Sequence, residues 1–83
     1  LVNSVHLSCG MIEVNLIIKE NRIAFCQFSG DYLGNLPTAI LERALIDTPY
    51  IYDNIVECLS KFDISQYFDH VTSHEVANLI MCR

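Results

Sequence analysis

Few residues in this sequence could do acid–base or nucleophilic chemistry. The histidines are His6, His70 and His74. A Ser, Cys or Lys nucleophile needs a base held beside it and a third group that orients that base. No such combination is recognisable around these histidines, and Lys19 and Lys61 have no evident pocket that would lower an amine pKa. We therefore expect no catalytic residue in this chain.

A metal site is suggested only by the spacing of His70 and His74, which lie four positions apart. On one helix this spacing brings two ligands to the same face. Thr72, however, lies between them in a pattern typical of a helix N-cap, so the two histidines do not share a helical face. We expect both to be exposed and predict no metal site.

Carboxylates and cysteines offer two further kinds of chemistry. The carboxylate pairs are Glu42 with Asp47 and Asp53 with Glu57, all at polar helix positions where solvation explains them. The cysteines are Cys9, Cys26, Cys58 and Cys82, and no C-x-x-C pair occurs among them. We expect reduced thiols, with Cys26, Cys58 and Cys82 acting as small apolar side chains, although two disulfides stay possible.

Hydrophobic periodicity predicts a small sheet in the first third of the chain. Between residues 11 and 19, apolar and polar side chains alternate with the period of a half-buried strand. Glu20-Asn21 suits a tight hairpin turn, and an extended pattern resumes over residues 22–29. Two strands alone are marginally stable, so residues 2–7 are the candidate third strand.

Helical patterns follow the strands. Pro37 fits the first turn of a helix over residues 37–46, and a second apolar stripe lies within residues 51–62. Asp63-x-x-Gln66 has the form of a capping box before a short turn, and Thr72 with Glu75 begins the last helix. Strands followed by helices predict an α+β fold, a small antiparallel sheet covered on one face by about three helices.

Charge and hydropathy exclude several classes of partner. The chain has ten acidic residues and only five basic ones, which are scattered along it, so binding to a nucleic-acid backbone is not expected. No apolar run is long enough for a membrane span, and residues 1–12 lack the features of a signal peptide. We predict a soluble cytoplasmic protein. Because the chain opens at Leu1 rather than Met, we also expect an excised or proteolysed fragment.

The segment between Gly30 and Gly34 is the one place where function could concentrate. Both glycines interrupt the strand and helix periodicities, and neither belongs to a phosphate-binding motif. One interpretation is a local turn in which Asp31 bonds to the backbone; the other is a loop that contacts another domain. Gly30, Asp31, Tyr32 and Gly34 are therefore the candidate docking residues.

Four pieces, taken in order, resemble the C-terminal accessory domain of bacterial lipoate-protein ligases. They are residues 10–14 (GMIEV), 28–34 (FSGDYLG), 41–46 (LERALI) and 63–68 (DISQYF). The sequence departs from the family's common pattern at Glu20-Asn21, where a glycine is usual, and at Leu33, where an aromatic is frequent. We assign residues 10–83 to this domain and residues 1–9 to a linker or edge-strand segment.

The resemblance implies a parent enzyme that activates lipoate with ATP and transfers the lipoyl group to a lysine of a lipoyl domain. It implies that the catalytic and nucleotide-binding residues lie in a larger catalytic domain, in the same chain or a separate one. This chain would then bind no cofactor and would act by docking on that domain. Lipoyl-domain acceptor proteins would be indirect partners.

Two other functions stay open from the sequence. A free-standing α+β interaction module, for instance an iron–sulfur assembly scaffold, would need an exposed thiol of low pKa, and only Cys9 is plausibly placed for it. An independent hydrolase or transferase is the poorest alternative, because the bases and oxyanion donors it needs are not recognisable.

Overall fold

The alternating segments build a three-stranded antiparallel sheet in the computed structural model, which describes residues 1–83. The strands are β1 (Val2–Leu7), β2 (Gly10–Lys19) and β3 (Arg22–Tyr32), in the spatial order β1-β2-β3. Glu20 and Asn21 both adopt positive φ, 51° and 62°, as the predicted hairpin requires. The hairpin and the third strand are thus confirmed.

Three helices follow the sheet and cover one of its faces. They are α1 (Ala39–Leu45), α2 (Tyr52–Leu59) and α3 (Ser73–Ile80), with a 3₁₀ turn over Ile64–Gln66 between the last two. The predicted α+β class is confirmed. The start of α1 was predicted too early: Pro37 precedes the helix, which begins only after Thr38.

Two predicted capping boxes have different outcomes. At α3, the Glu75 N–H donates to Thr72 Oγ1 at 3.2 Å, and the Thr72 N–H donates to Glu75 Oε1 at 3.0 Å, so the box is confirmed. The box predicted at Asp63 is wrong, because the 3₁₀ turn has no side-chain cap. Asp63 Oδ1 instead accepts a hydrogen bond from the Ser65 hydroxyl at 2.6 Å.

An aromatic cluster joins the sheet to the segment between α2 and α3. Phe68 is fully buried; its ring lies 5.3 Å from that of Phe28 and 4.9 Å from that of Tyr32, centroid to centroid. Tyr67 is buried beside it. The two residues after the 3₁₀ turn therefore fill the core, and Phe68 holds the end of β3 through Tyr32.

The two faces of the sheet differ sharply. On β2, the side chains of Ile12, Val14 and Leu16 are buried beneath the helices. The opposite face carries no helix. The exposed residues of β2 there are Met11, Glu13, Asn15, Ile17 and Lys19.

The three helices are short, and none of them could span a bilayer.

β3 extends further than the sequence indicated. Gly30, Asp31 and Tyr32 are paired with β2, opposite Ile12, Met11 and Gly10. The prediction of a turn or loop beginning at Ser29 is therefore wrong for these three residues, and the loop begins at Leu33. Glycine suggested a break here, but β2 starts early enough to continue the ladder.

Candidate docking site at the end of β3

Three of the four candidate docking residues line one cleft. Gly30, Tyr32 and Gly34 contribute to a cavity of about 580 Å³ between the end of β3 and the start of α1. We call this cavity the β3-end cleft. Asp31 does not line it, because it lies on the uncovered face of the sheet, opposite Met11. The four residues are therefore close together, but Asp31 lies on a different surface from the other three.

Tyr32 has one side in the core and the other at the cleft. Its ring packs on Phe68, which fixes its position. Burial raises the pKa of the Tyr32 phenol, while a hydrogen bond with the Thr38 side chain acts in the opposite direction. The phenol is therefore neutral at physiological pH and offers the cleft a neutral polar group.

Gly30 and Gly34 have packing roles that explain their residue type. Gly30 has φ +127°, and a Cβ at this position would overlap the Met11 carbonyl of β2. A Cβ on Gly34 would overlap the Tyr67 carbonyl. Both glycines thus allow two backbone segments to approach closely, and their proposed role in docking would be indirect.

The loop after β3 is held by a dense set of backbone hydrogen bonds. The N–H groups of Asn35 and Leu36 both donate to the Gln66 carbonyl, at 2.8 and 2.9 Å. The Asp69 N–H donates to the Leu33 carbonyl at 2.8 Å. These contacts preorganise the rim of the cleft, which reduces the conformational entropy lost when a partner binds.

The environment of Glu42 in the structure differs from the one that the sequence predicted. Glu42 was predicted to be solvated on a helix face, but it is half-buried, and its Oε2 accepts the Phe28 N–H at 2.8 Å and the Thr38 hydroxyl at 3.1 Å. It thereby satisfies a backbone donor on the edge of β3. No sequence spacing could reveal this contact, because its partner is a main-chain group fourteen residues away.

The Asp31 side chain makes no hydrogen bond or ion pair within the chain, and its main chain is paired with β2 opposite Met11, so the turn role considered for it is wrong. Its side chain is exposed on the uncovered face of the sheet. A carboxylate without an internal partner contributes little to folding. Asp31 is therefore available to a basic or hydrogen-bond-donating group of another protein.

The cleft holds no set of side chains for catalysis. Glu42 is its one ionisable carboxylate, and no His, Cys, Lys or Arg lines it. His6 lies in β1, whereas His70 and His74 are exposed at the beginning of the α3 region. No three His, Cys, Asp or Glu side chains are grouped to hold a metal ion.

The four thiols differ in accessibility. Cys9 and Cys26 are buried, and desolvation raises the pKa of both, that of Cys26 to about 12. Cys58 is half-buried and donates to the Ala44 carbonyl at 3.3 Å. The prediction for Cys82 is wrong, since it lies beyond α3 and is exposed. All four are free, and the scaffold alternative loses the reactive Cys9 it required.

Thiol labelling at pH 8 is expected to modify Cys82 first. Cys9 and Cys26 should react at least about 100-fold more slowly, because little thiolate forms and the sulfur atoms are inaccessible. Stopped-flow labelling of the native chain, with the Cys82→Ser variant as control, measures this. A fast phase that survives in Cys82→Ser and disappears in Cys9→Ser would contradict the buried position of Cys9.

Comparison with known proteins identifies the relatives of this chain. The model of the family described as bacterial lipoate protein ligase C-terminus matches residues 1–80. Lipoate-protein ligase 2 of Staphylococcus aureus is 31% identical over 78 residues, which are 94% of this chain and 23% of that protein. The lipoate-protein ligase of Streptococcus pyogenes is 32% identical over 71 residues, 86% of this chain and 21% of that protein. The chain thus spans less than a quarter of their length.

Proposed function

The chain belongs to the family of bacterial lipoate protein ligase C-termini, and we propose that it is the accessory domain of an ATP-dependent lipoate-protein ligase. In this role it docks on the catalytic domain and supports lipoyl-adenylate formation and lipoyl transfer. The observation that carries the proposal is the extent of the family match, residues 1–80, which is nearly the whole chain. Relatives about four times as long leave room for a separate catalytic domain.

The proposal assigns ATP and lipoate to the catalytic domain and none to this chain. The catalytic domain is the direct partner, in the same polypeptide or as a separate one. Lipoyl-domain acceptor proteins are partners only through it. The proposed location is the cytoplasm.

Docking can assist catalysis through two physical effects. A domain that covers the active site excludes water from a reactive acyl-adenylate. A domain that contacts one arrangement of the catalytic loops better than another shifts their equilibrium toward that arrangement. The rigid rim of the β3-end cleft and the unpaired carboxylate of Asp31 support this role, since preorganised groups lose little entropy on binding.

The test is lipoate-dependent pyrophosphate release by the cognate catalytic domain, measured with and without this chain. We expect the chain to increase the rate at saturating ATP and lipoate. A suitable control is the same chain unfolded by the Phe68→Ala substitution, which should give no increase. Equal rates with and without the native chain would contradict the proposal.

Asp31→Ala separates docking from folding at the candidate site. Because Asp31 has no internal partner, its removal should change the free energy of unfolding by no more than about 0.5 kcal/mol. Binding to the catalytic domain should weaken by about three- to tenfold if the carboxylate contacts a basic group there. Asp53→Ala, an exposed carboxylate on α2, is the matched control. Unchanged binding by Asp31→Ala would remove Asp31 from the docking site.

A further inference from the structure

We infer that β1 is a pairing edge at which two copies of this chain join their three-stranded sheets into one continuous sheet. The two β1 strands run antiparallel about a two-fold axis at Ser4, so each copy offers the same surface to the other. The inference goes beyond the proposed function and does not depend on it, because no residue of β1 lines the β3-end cleft.

Alternate residues of β1 turn their backbone groups away from β2. Leu1 exchanges two hydrogen bonds with Leu16, at 3.0 and 2.8 Å, and the β1–β2 register continues from there without a shift. Because bonded and non-bonded pairs alternate in an antiparallel ladder, the N–H and C=O groups of Val2, Ser4 and His6 point to the outer side. No turn, loop, helix or side chain of the chain hydrogen-bonds to these outward groups. The sheet therefore ends at β1 with a row of free donors and acceptors.

The other edge of the sheet, along β3, is covered by groups of the same chain. The Phe28 N–H donates to the Glu42 carboxylate at 2.8 Å. Near the hairpin, the Ile23 N–H donates to the Thr48 carbonyl at 3.0 Å, and the Ile23 carbonyl accepts the Asp47 N–H at 2.7 Å. The fold thus protects one edge and leaves the other open.

β1 has none of the features by which proteins usually protect an open edge. Such features are Lys or Pro residues, inward-pointing charges, and bulges that twist the strand away. The sequence of β1, VNSVHL, contains no Lys, Pro or carboxylate, and its pairing with β2 is uninterrupted. Its outward residues Val2, Ser4 and His6 are also exposed. An edge strand of this kind is a template for pairing with another strand.

A second copy of the chain is the occupant that fits this edge. With the two-fold axis at Ser4, this residue lies opposite its own counterpart, and Val2 of each copy lies opposite His6 of the other. Every outward residue then meets another outward residue, so all of the free backbone groups gain partners. A strand from a strongly acidic or basic partner would find no complementary Lys, Arg or carboxylate on β1.

Electrostatic repulsion between the two copies is weak at this edge, although each chain carries a net charge of −5. Glu13 is the one ionised side chain of β2 that lies opposite a β1 residue, namely Ser4. The Glu13 side chains of the two copies would be three strand spacings apart, about 14 Å. This separation exceeds the Debye length of about 8 Å at physiological ionic strength, so salt screens their interaction.

Sedimentation equilibrium of the 83-residue chain, with no catalytic domain present, tests the pairing. A single pair of strands forms a small interface, so we expect a weak dimer with a dissociation constant of about 0.1–1 mM. The average mass should rise from that of one chain toward that of two as the concentration increases through this range. A chain that stays monomeric at about 2 mM, above the expected constant, would overturn the inference.

Ser4→Lys and Ser29→Lys are a matched pair of variants. Both serines are exposed and lie opposite Glu13, on either side of β2, so the new lysine has the same neighbour in each variant. Ser4→Lys brings two like charges together at the two-fold axis and should weaken association about fivefold or more. Ser29→Lys lies on the opposite edge strand and should change association by less than about twofold. Thermal unfolding checks that both variants are folded, and equal effects of the two would contradict pairing through β1.

A mixture of Ser4→Lys and Ser4→Glu chains tests the position of the axis. Each variant alone should associate more weakly than the original chain, because like charges meet at the axis. In the mixture, opposite charges meet there, so the mixed dimer should form at least as tightly as the original one. A mixture that associates no better than either variant alone would overturn the proposed register.

Amide NMR spectra of the original chain give a second readout within the same strand. The outward amides of β1 should move to lower field as the concentration rises, because they gain hydrogen bonds. The amides of Asn3 and Val5 face β2 and should change much less. Outward amides that respond only when the cognate catalytic domain is added would assign this edge to that domain and overturn the inference.

Discussion

Phe68→Ala is expected to reduce the free energy of unfolding by about 3–5 kcal/mol, the usual cost of truncating a buried phenylalanine. A chain of 83 residues has a total stability of about 4–12 kcal/mol. The substitution removes the ring that contacts both Phe28 and Tyr32. We therefore expect partial or complete unfolding at 37 °C, measured as the loss of the urea transition followed by circular dichroism.

Phe25→Ala is the matched control for this prediction, because it makes the same chemical change at an exposed position. It should cost about 1 kcal/mol or less, mainly through lower β propensity. If Phe68→Ala and Phe25→Ala unfolded at the same urea concentration as the original chain, the aromatic cluster would not be the centre of the core.

Gly30→Ala is expected to cost about 2–6 kcal/mol through two effects that act together. Strain at φ +127° contributes about 1–3 kcal/mol, and displacing the Met11 carbonyl contributes about 1–3 kcal/mol more. The strand should separate locally from β2, and Tyr32 should lose its contact with Phe68. Urea unfolding gives the energy, and hydrogen exchange at residues 28–32 locates the change.

Ser29→Ala tests whether the effect of Gly30→Ala is specific to the glycine. Ser29 is exposed and adjacent, and its one side-chain hydrogen bond, to Glu13, is long at 3.4 Å, so its loss should cost less than about 0.5 kcal/mol. A Gly30→Ala chain as stable as the original but unable to bind the catalytic domain would reverse our interpretation. Gly30 would then be a direct docking residue.

The sequence predicted those elements that are determined by contacts between residues close together in the chain. The hairpin follows from the alternation along β2 and from Glu20-Asn21, which adopt the left-handed conformation themselves. The start of α3 follows from the reciprocal bonds of Thr72 and Glu75, three positions apart. Such contacts depend on neighbouring residues alone, so a sequence pattern is sufficient to find them.

Contacts between distant segments were not predictable in this way. The continuation of β3 through Gly30 depends on pairing with β2, and glycine by itself indicates a break. The half-buried position of Glu42 depends on α1 packing along the edge of β3. Similarly, the exposure of Cys82 depends on α3 ending at Ile80, two residues before it.

The docking site stays a prediction, but the structure shows how its candidate residues are arranged. Three of the four residues that the sequence indicated line the β3-end cleft. The sequence could not distinguish Asp31 from the other three, because the face of a sheet on which a side chain lies depends on the strand register.

The central claim is that this chain acts on a ligase by docking, without chemistry of its own. The most direct measurement is a titration of the cognate catalytic domain with this chain, following lipoyl-adenylate formation in a single turnover. We predict that the rate rises and saturates, with half of the increase at the dissociation constant found by calorimetry. A flat titration, or adenylate formed by this chain alone, would contradict the account.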